Sequence, residues 1–455
     1  MAATRSILIV LFLGVLLGAL DIAVVGPALP AIRESFGVDS RALSWVFSIY
    51  VLFYLVGAPL LAKVSDRRGR RSIYAASVGL FAAGSLIVAL APAFAGVLFG
   101  RALQAFGAGG VFPVASAVIA EVVPAERRGR VLGLIGAVFG LAFLLGPLLG
   151  GLLLPFGWQW LFLVNVPVAV ALVVAGLKTL PGTTAARPGA FDVSGAALLS
   201  VALAGLVWGI SEIDTGDLAT SLLSDRVWPS LLLVVVAVPL FWRAERRAAD
   251  PVLHPELFES KQLRLVGAIA LAAGLVEAGM VFLPNMAVIG LNVEAPTASL
   301  MMLPLVLTLT VGAPLAGRML DRAGARPVVQ AGLALTVLGL VLFAWLPLNT
   351  VSFYAAGGAI GFGLSGLLGA PLRYITLQEA GESRRGAGQG LLTLFLSVGQ
   401  LVGSAVIGGV VGSNANQLGG YRHALLTVAI ACLVALVLSA ALRGKVSAGP
   451  AAAGV

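Results

Sequence analysis

Charged residues are scarce in this 455-residue chain: Asp, Glu, Lys and Arg together make up 11% of it, against 59% hydrophobic residues. A soluble domain carries about 25% charged residues. Because so apolar a chain would aggregate in water, the composition excludes a soluble globular protein and predicts an integral membrane protein.

Cysteine and histidine are almost absent. The one cysteine, Cys432, excludes a disulfide within the chain and a metal site built from several thiolates. The two histidines, His254 and His423, fall outside the apolar runs, so we expect neither a metal centre nor a cofactor. A membrane-embedded enzyme would need a buried base or nucleophile, often histidine. We therefore expect that the protein is not an enzyme, and a membrane-embedded enzyme is the less favoured alternative.

Two other features are missing from the sequence. It has no G-x-x-x-x-G-K-S or G-x-x-x-x-G-K-T phosphate loop, which argues against an ATPase. It also has no ring or filter of polar groups of the kind that channels use. If the chain moves a solute, an ion gradient must drive it, and we expect protons rather than sodium.

Long apolar runs fill most of the chain. A membrane-spanning helix needs about 20 mainly apolar residues, and each run should be helical because lipid offers the backbone no hydrogen bonds. Fourteen spans are predicted near 7–31, 43–62, 72–92, 95–119, 131–154, 159–178, 193–211, 227–242, 265–288, 297–316, 327–347, 351–373, 387–411 and 422–442.

The basic residues are unevenly distributed between the loops. With the N-terminus placed inside, 24 of the 29 Lys and Arg residues fall on the inner side and 4 on the outer side, with Arg101 inside a span. This bias predicts that both termini are cytoplasmic. It also explains the net charge of +9 without a nucleic-acid partner, since the basic residues are spread over many short loops.

Two loops repeat one pattern. Asp66 and Gly69 in the loop at 62–71 have the same spacing as Asp321 and Gly324 in the loop at 317–326. The repetition predicts two related six-helix halves, an architecture usual for secondary transporters. We expect an N-terminal bundle at 1–180, a linker with two extra transmembrane helices at 181–262, a C-terminal bundle at 263–445 and a disordered tail at 446–455.

Several motifs resemble those of the major facilitator superfamily, in particular its fourteen-helix drug–proton antiporter branch. Three alanines, Ala62, Ala105 and Ala142, replace glycines that are usual there. The motifs that carry the resemblance are Asp21 to Pro30, Ala62 to Arg71, Arg101 to Gly107, Gly133 with Gly146 to Gly151, Trp158 to Pro167, and Asp250 to Phe258.

The resemblance implies an all-α membrane protein with the major facilitator fold and fourteen transmembrane helices. It also implies a proton-coupled antiporter, which we expect to be a monomer. Such a protein exports small lipophilic compounds by alternating access, and cationic cargo suits an acidic cavity. A carrier of the same fold for a lipid or another metabolite remains the alternative. The composition, rich in alanine, glycine and arginine, suggests a bacterial inner membrane.

Three charged residues sit well inside the predicted spans: Asp21, Arg101 and Glu277. A charge at the centre of the bilayer costs about 2.5–3.5 kcal/mol or more, so such residues face a cavity or a partner. Asp21 and Arg101 lie at similar depth, which allows a pair. We hypothesise that Asp21 and Glu277 bind the proton and the charge of the substrate, with Arg101 tuning Asp21. A purely structural ion pair is the alternative.

The repeated loops suggest a cytoplasmic gate, a role that the resemblance implies. Asp66 could pair with loop arginines such as Arg127, Arg128 or Arg130, and such contacts would break when the inner face opens. The alternative is a short turn whose charges only fix topology. The predicted gate residues are Asp66, Arg67, Gly69, Arg70, Asp321 and Arg322.

The fifth run contains glycines around a proline. Pro147 interrupts the helical hydrogen bonds and the glycines permit close packing. The resemblance makes this an antiporter motif that blocks ion leak, composed of Gly133, Gly146, Pro147, Gly150 and Gly151. In other spans, Tyr50 and Gln104 are candidates for lining a cavity.

Overall fold

The structure is a computed structural model that describes residues 2–182, 192–248, 251, 253–381 and 384–444. These residues form helices and turns, with two 3-10 turns at Leu154–Phe156 and Pro255–Glu259. The helices are α1 (Ala2–Phe36), α2 (Ser40–Arg68), α3 (Arg70–Leu90), α4 (Phe94–Val122), α5 (Ala125–Leu153), α6 (Trp160–Leu163), α7 (Asn165–Thr179), α8 (Val193–Ser211), α9 (Leu218–Leu222), α10 (Trp228–Glu245), α11 (Lys261–Leu291), α12 (Ala295–Leu300), α13 (Leu303–Ala323), α14 (Ala325–Trp345), α15 (Thr350–Leu368), α16 (Ala370–Ala380), α17 (Arg385–Gly412) and α18 (Gln417–Ser439).

Thirteen helical segments of the described chain are long and apolar enough to cross a membrane. Three of them join two helices each: α6 with α7, α12 with α13, and α15 with α16. The remaining predicted span, 131–154, coincides with α5, a 29-residue helix whose apolar part lies at Gly140–Phe156 together with the turn after it. The predicted all-α membrane fold is therefore confirmed.

The chain divides into two compact units. The first comprises Met1–Val252, Glu277–Leu303 and Gln400–Ala424. The second comprises Leu253–Val276, Pro304–Gly399 and Leu425–Val455. The boundaries predicted for the two bundles and the linker stay predictions, and Asp250 and the tail 446–455 lie outside the described residues.

In the first unit, α4 packs closely against α2 and α3. A Cβ atom on Gly107 of α4 would lie 2.5 Å from the carbonyl oxygen of Ser77, and one on Gly57 of α2 would lie 2.5 Å from that of Phe106. Only glycine permits so close an approach of two backbones in a membrane bundle. This packing brings the polar side chains of α4 within reach of α1, α2 and α3.

The two inserted helices, α8 and α10, pack on each other, and α8 also packs on α2. Their exposed surface is apolar and mainly aliphatic, with Val235 67% exposed and the tryptophans Trp208 and Trp228 also partly exposed. The loop between them contacts other parts of the first unit. Thr215 Oγ1 lies 2.7 Å from Ser413 Oγ, just after α17, and Arg41 of α2 donates to the carbonyl of Ile213 at 3.5 Å.

In the second unit, α14 packs along α15 and also contacts α16. Thr336 of α14 is buried and donates to the carbonyl of Gly332 at 2.8 Å within its own helix. The single cysteine, Cys432 of α18, is also buried, with its Sγ 3.9 Å from the carbonyl oxygen of Ala272.

Candidate functional site

Asp21 lies near the middle of α1 and is completely buried. Its Oδ2 accepts a hydrogen bond from Arg101 Nη1 at 2.5 Å, and its Oδ1 accepts one from Gln104 Nε2 at 2.6 Å. Asn165 Nδ2 also points to Oδ1, at the longer distance of 3.5 Å. The carboxylate therefore has an ion-pair partner and two amide donors inside the membrane-spanning bundle.

Arg101 is the largest of the fully buried side chains in the described chain. Its Nε donates to the carbonyl of Val46 at 3.2 Å, and Nη1 donates to Gln104 Oε1 at 2.7 Å as well as to Asp21. The guanidinium lies over the ring of Tyr50, 4.2 Å from its centroid. A buried charge needs such compensation, and here an anion, an amide and an aromatic face supply it.

Gln104 stands three residues after Arg101 on α4, so both side chains project from the same face of the helix. Besides its bond to Asp21, its Nε2 donates to Ser85 Oγ on α3 at 2.8 Å. Gln104 therefore ties α1, α3 and α4 together at the level of the carboxylate.

Tyr50 lines a small pocket of about 300 Å³ between α1, α2 and α4, together with Tyr54. Neither the hydroxyl of Tyr50 nor Nη2 of Arg101 has a hydrogen-bond partner within the described part of the chain. Buried polar groups of this kind are normally satisfied. They are the two unused donors of the network.

Sequence reasoning missed two members of this network, Ser85 and Asn165. Asn165 belongs to the motif from Trp158 to Pro167, which indicates no role for it, and Ser85 stands among apolar residues in the third predicted span. The available signal was that each is a polar side chain inside a span, which demands a partner.

Glu277 lies in a different setting, on α11. Gln400 Nε2 on α17 donates to Glu277 Oε2 at 3.1 Å, and the contact is only partly buried. The two carboxyls inside the spans thus belong to separate networks, and among the described residues only Asp21 has a cation beside it.

At the turn between α2 and α3, Arg70 forms two ion pairs. Its Nη2 lies 3.6 Å from Asp66 Oδ1, and its Nε lies 3.0 Å from Glu121 Oε1 on α4. Arg67 is exposed. The pairing of Asp66 with Arg127, Arg128 or Arg130 concerns side chains that lie outside the described residues.

The matching turn between α13 and α14 has the same backbone. Gly69 and Gly324 have positive φ angles of 96° and 87°, and each N–H donates at 2.9 Å to the carbonyl four residues earlier. Glycine adopts this conformation without strain. Asp321 and Arg322 are exposed, and Ala325 occupies the position that corresponds to Arg70. The second turn therefore repeats the backbone of the first but not its buried arginine.

The glycine-proline segment of α5 packs against α1 and α12. A Cβ on Gly146 would lie 2.6 Å from that of Ala23, and Gly150 faces Ser299. The Ser299 hydroxyl donates to the carbonyl of Pro147 at 2.9 Å. A Cβ on Gly151 would likewise lie 2.6 Å from Cδ2 of Leu300. Gly133 lies within α5, and the side chains around it are outside the described residues.

No group of three or more His, Cys, Asp or Glu residues that could hold a metal ion occurs in the described chain. The polar features of the site are therefore the Asp21 network, the Glu277–Gln400 pair and the charged turn at Gly69.

The sequence matches the family model described as "Major Facilitator Superfamily" over residues 11–244 and 265–453. The chain is 34% identical over 414 residues to the uncharacterized MFS-type transporter YfiU of Bacillus subtilis, covering 90% of this chain and 80% of that protein. It is 29% identical to the multidrug resistance protein Stp of Mycobacterium tuberculosis, covering 88% and 74%. It is 26% identical to the multidrug transporter protein MdtP of B. subtilis, covering 91% and 76%.

Solved structures show the same fold. The nucleoside transporter NupG superposes with a TM-score of 0.67 at 14% identity, covering 96% of this chain and 99% of that one. A bacterial homolog of the human lysosomal transporter Spinster, in an inward-facing and occupied conformation, gives a TM-score of 0.67 at 16% identity, covering 96% of both chains.

Proposed function

Because this chain belongs to the Major Facilitator Superfamily, we propose that it is a proton-coupled antiporter that exports lipophilic compounds, cations among them, by alternating access. Two curated relatives carry multidrug names, which supports this class of cargo. In this proposal the protein lies in the inner membrane with both termini in the cytoplasm, as the distribution of basic residues favours. Export of a lipid or another metabolite is the alternative for the cargo.

One observation carries the proposal: a carboxyl in the middle of a membrane-spanning helix, completely buried, with an arginine as its partner. Acids at such positions are rare and mark ion pathways. A proton bound by Asp21 would release Arg101 from its pair, and the freed guanidinium would seek new partners. A protonation event would thus be converted into a rearrangement of α1, α2 and α4.

Glu277 is proposed as the second proton site. Glu277 is partly exposed and its carboxyl accepts a hydrogen bond from the amide of Gln400, and no lysine or arginine forms an ion pair with it in the described chain. A carboxyl without a fixed countercharge can meet either a proton or a cationic cargo.

The charged turns are proposed to act as the cytoplasmic gate. Arg70 bridges Asp66 and Glu121, and so links the end of α2 to the end of α4. Opening of the inner face would separate these groups. The exposed Arg67, Asp321 and Arg322 would contribute less, because exposed ion pairs are worth about 0–1 kcal/mol.

The glycine-proline segment of α5 is proposed to seal the protein against ion leak. Its close packing against Ala23 and Ser299 would exclude water from the region beside Pro147. That seal would make proton movement depend on movement of the cargo.

The proposal is tested with purified protein in proteoliposomes that carry an imposed pH gradient. A lipophilic cation such as tetraphenylphosphonium should dissipate the gradient with wild type and not with Asp21→Asn. Asp217→Asn, which removes an exposed carboxyl from the loop between the inserted helices, is the matched control and should behave as wild type.

Two outcomes would count against the proposal. If no lipophilic cation or neutral amphiphile releases protons with wild type, the antiport mechanism is wrong. If Asp21→Asn exchanges protons as fast as wild type, the protein can still be an exporter, but the proton site is not Asp21 and Glu277→Gln becomes the variant to measure.

A further inference from the structure

A cavity lies in the first unit between the end of α1 and the second half of α11. Its volume is about 390 Å³, which is within the range of about 300–1,000 Å³ that is usual for small-molecule sites. Arg33, Glu34 and Asn285 supply its polar lining, and proline, glycine, valine and isoleucine residues form the rest of the wall. In the orientation proposed above, these ends of α1 and α11 face the outer aqueous phase.

A contact between α1 and α11 closes the cavity at its inner end. A Cβ atom on Gly26 would lie 2.8 Å from the carbonyl oxygen of Val281, so the two backbones touch there. Pro30 and Asn285, each about one turn further along its helix, already line the cavity. The two carboxyls inside the spans precede the contact on the same two helices, so the contact separates them from the cavity.

Arg33 carries a charge that no ion pair balances within the described part of the chain. Its side chain is half-buried and lines the cavity, but it forms neither an ion pair nor a hydrogen bond with the described residues. Two other arginines that are predicted on the outer side do have partners. Arg41 donates to the carbonyl of Ile213, and Arg226 pairs with Glu212 at 3.7 Å. A half-buried guanidinium that faces a cavity with its donors unused is suited to bind an anion.

The inner wall of the cavity carries an amide. Asn285 is 1% exposed, and its Nδ2 donates to the hydroxyl of Tyr421 on α18 at 2.5 Å. The charge of Arg33 acts on the same hydroxyl, so the guanidinium lies near this pair. Glu34, in contrast, is exposed. The positive charge is therefore the deeper of the two charges in the cavity, and water screens it less.

These features describe a ligand with an anionic head and an apolar body. A carboxylate or a sulfonate can accept two parallel hydrogen bonds from one guanidinium. Pro30, Val288 and Ile289 offer an apolar surface to the rest of the molecule. An organic cation would have to place its charge beside Arg33, and an inorganic anion would leave the apolar wall uncovered.

We propose that this cavity is a regulatory site for an amphiphilic organic anion, which enters from the outer aqueous phase and binds with its head on Arg33. The binding goes beyond the proposed function and does not depend on it. The consequence for transport rests on the proposed function. The bound anion joins α1 to α11 just outside their contact at Gly26 and Val281, holds that contact closed, and so slows alternating access.

The binding is measured by isothermal titration calorimetry of 1-octanesulfonate with the full-length protein in phosphatidylcholine nanodiscs, with empty nanodiscs as the blank. Octanesulfonate is chosen because it stays anionic and carries no protons across a bilayer. Arg33→Gln should weaken binding about tenfold, because the charge-assisted hydrogen bonds are lost. Arg226→Gln is the matched control: this side chain is 79% exposed and does not line the cavity, so the variant should bind as wild type does.

Glu34→Gln should change the affinity in the opposite direction. Removal of the exposed negative charge should tighten binding about threefold, a gain that a misfolded variant could not produce. Absence of binding to wild type, or equal affinities of Arg33→Gln and wild type, would overturn the proposal. Tighter binding by Arg33→Gln and weaker binding by Glu34→Gln would also overturn it, because the site would then not be one for anions.

The consequence for transport is measured as proton release driven by tetraphenylphosphonium in proteoliposomes, with octanesulfonate on both sides of the membrane. At about ten times the measured Kd, release by wild type and by Arg226→Gln should fall about tenfold. At the same concentration Arg33→Gln should keep about half of its own uninhibited rate, and it also controls for pairing of the two ions in solution. Undiminished release by wild type at this occupancy would overturn the regulatory role.

Failure of the proposed function gives a different result. Wild type would then release no protons with tetraphenylphosphonium, while calorimetry would still show octanesulfonate binding and its dependence on Arg33 and Glu34.

Discussion

The two carboxyl groups inside the spans are held in opposite ways. Asp21 is fully buried and accepts hydrogen bonds from Arg101, Gln104 and Asn165, whereas Glu277 is partly buried and accepts one from Gln400. A carboxylate with a countercharge and several donors is part of the scaffold, and any change in its protonation must move its neighbours. A carboxyl with one amide beside it can exchange its proton with little rearrangement. We infer that protonation of Asp21 is coupled to movement of its neighbours, whereas Glu277 binds and releases a proton with little rearrangement.

The comparison is most severely tested by Arg101→Met, which keeps the length of the side chain and removes its charge. Asp21 would be left buried without a cation, and breaking a buried pair in this way costs about 3–5 kcal/mol. We expect a large fall in the melting temperature in detergent. The double variant Asp21→Asn with Arg101→Met should recover most of it, and equal stability of the single and double variants would show that the pair does not hold the fold.

Gln104→Leu should have the next largest effect. The substitution conserves volume but removes one hydrogen-bond partner from each of Ser85, Arg101 and Asp21. Leaving buried polar groups unsatisfied costs about 1–3 kcal/mol, which the same melting assay would detect. A melting temperature within experimental error of wild type would mean that water replaces the amide and that the site is wetter than its burial indicates.

Gln400→Leu makes the same chemical change beside Glu277. Because Glu277 is partly exposed and accepts only this side-chain hydrogen bond from the described residues, the loss of stability should be about 1 kcal/mol or less. Comparing Gln400→Leu with Gln104→Leu measures directly how far the two carboxyls differ. If both variants melt at the same temperature, the distinction between the two sites fails.

Tyr50→Phe should have the smallest effect, within about 0.5 kcal/mol of wild type. The hydroxyl has no hydrogen-bond partner in the described chain, and the ring that faces Arg101 is retained. Tyr50→Leu removes the ring and should cost about 0.5–2 kcal/mol. A strong transport defect in Tyr50→Phe with unchanged melting would place the hydroxyl in cargo binding.

The sequence predicted the ion pair at the centre of the site but not the uncharged side chains that bind to it. The pairing of Asp21 with Arg101 follows from their similar depth in the first and fourth predicted spans. Gln104 was predicted only as a candidate for lining a cavity, and the structure places it in the Asp21 network. Asn165 and Ser85 could not be assigned, because an apolar run all around a helix gives no indication of which face turns toward α1.

The same limit applies to the helices themselves. Hydropathy locates the part of a helix that lies in hydrocarbon, but the backbone continues through the polar flanks, so α1 has 35 residues where the predicted span has 25. The break between α6 and α7 at Val164 was not predicted either. It arises within an apolar run, where composition carries no signal for an interruption.

The buried thiol of Cys432 makes this transporter a ready subject for distance spectroscopy. With its sulfur enclosed beside the carbonyl of Ala272, the single native cysteine should not react with a hydrophilic spin label in the folded protein. Cysteines introduced at the exposed Arg67 and Arg322 would then be the only labelled sites. The change in their separation during transport could be followed in the otherwise native sequence, without first constructing a cysteine-free background.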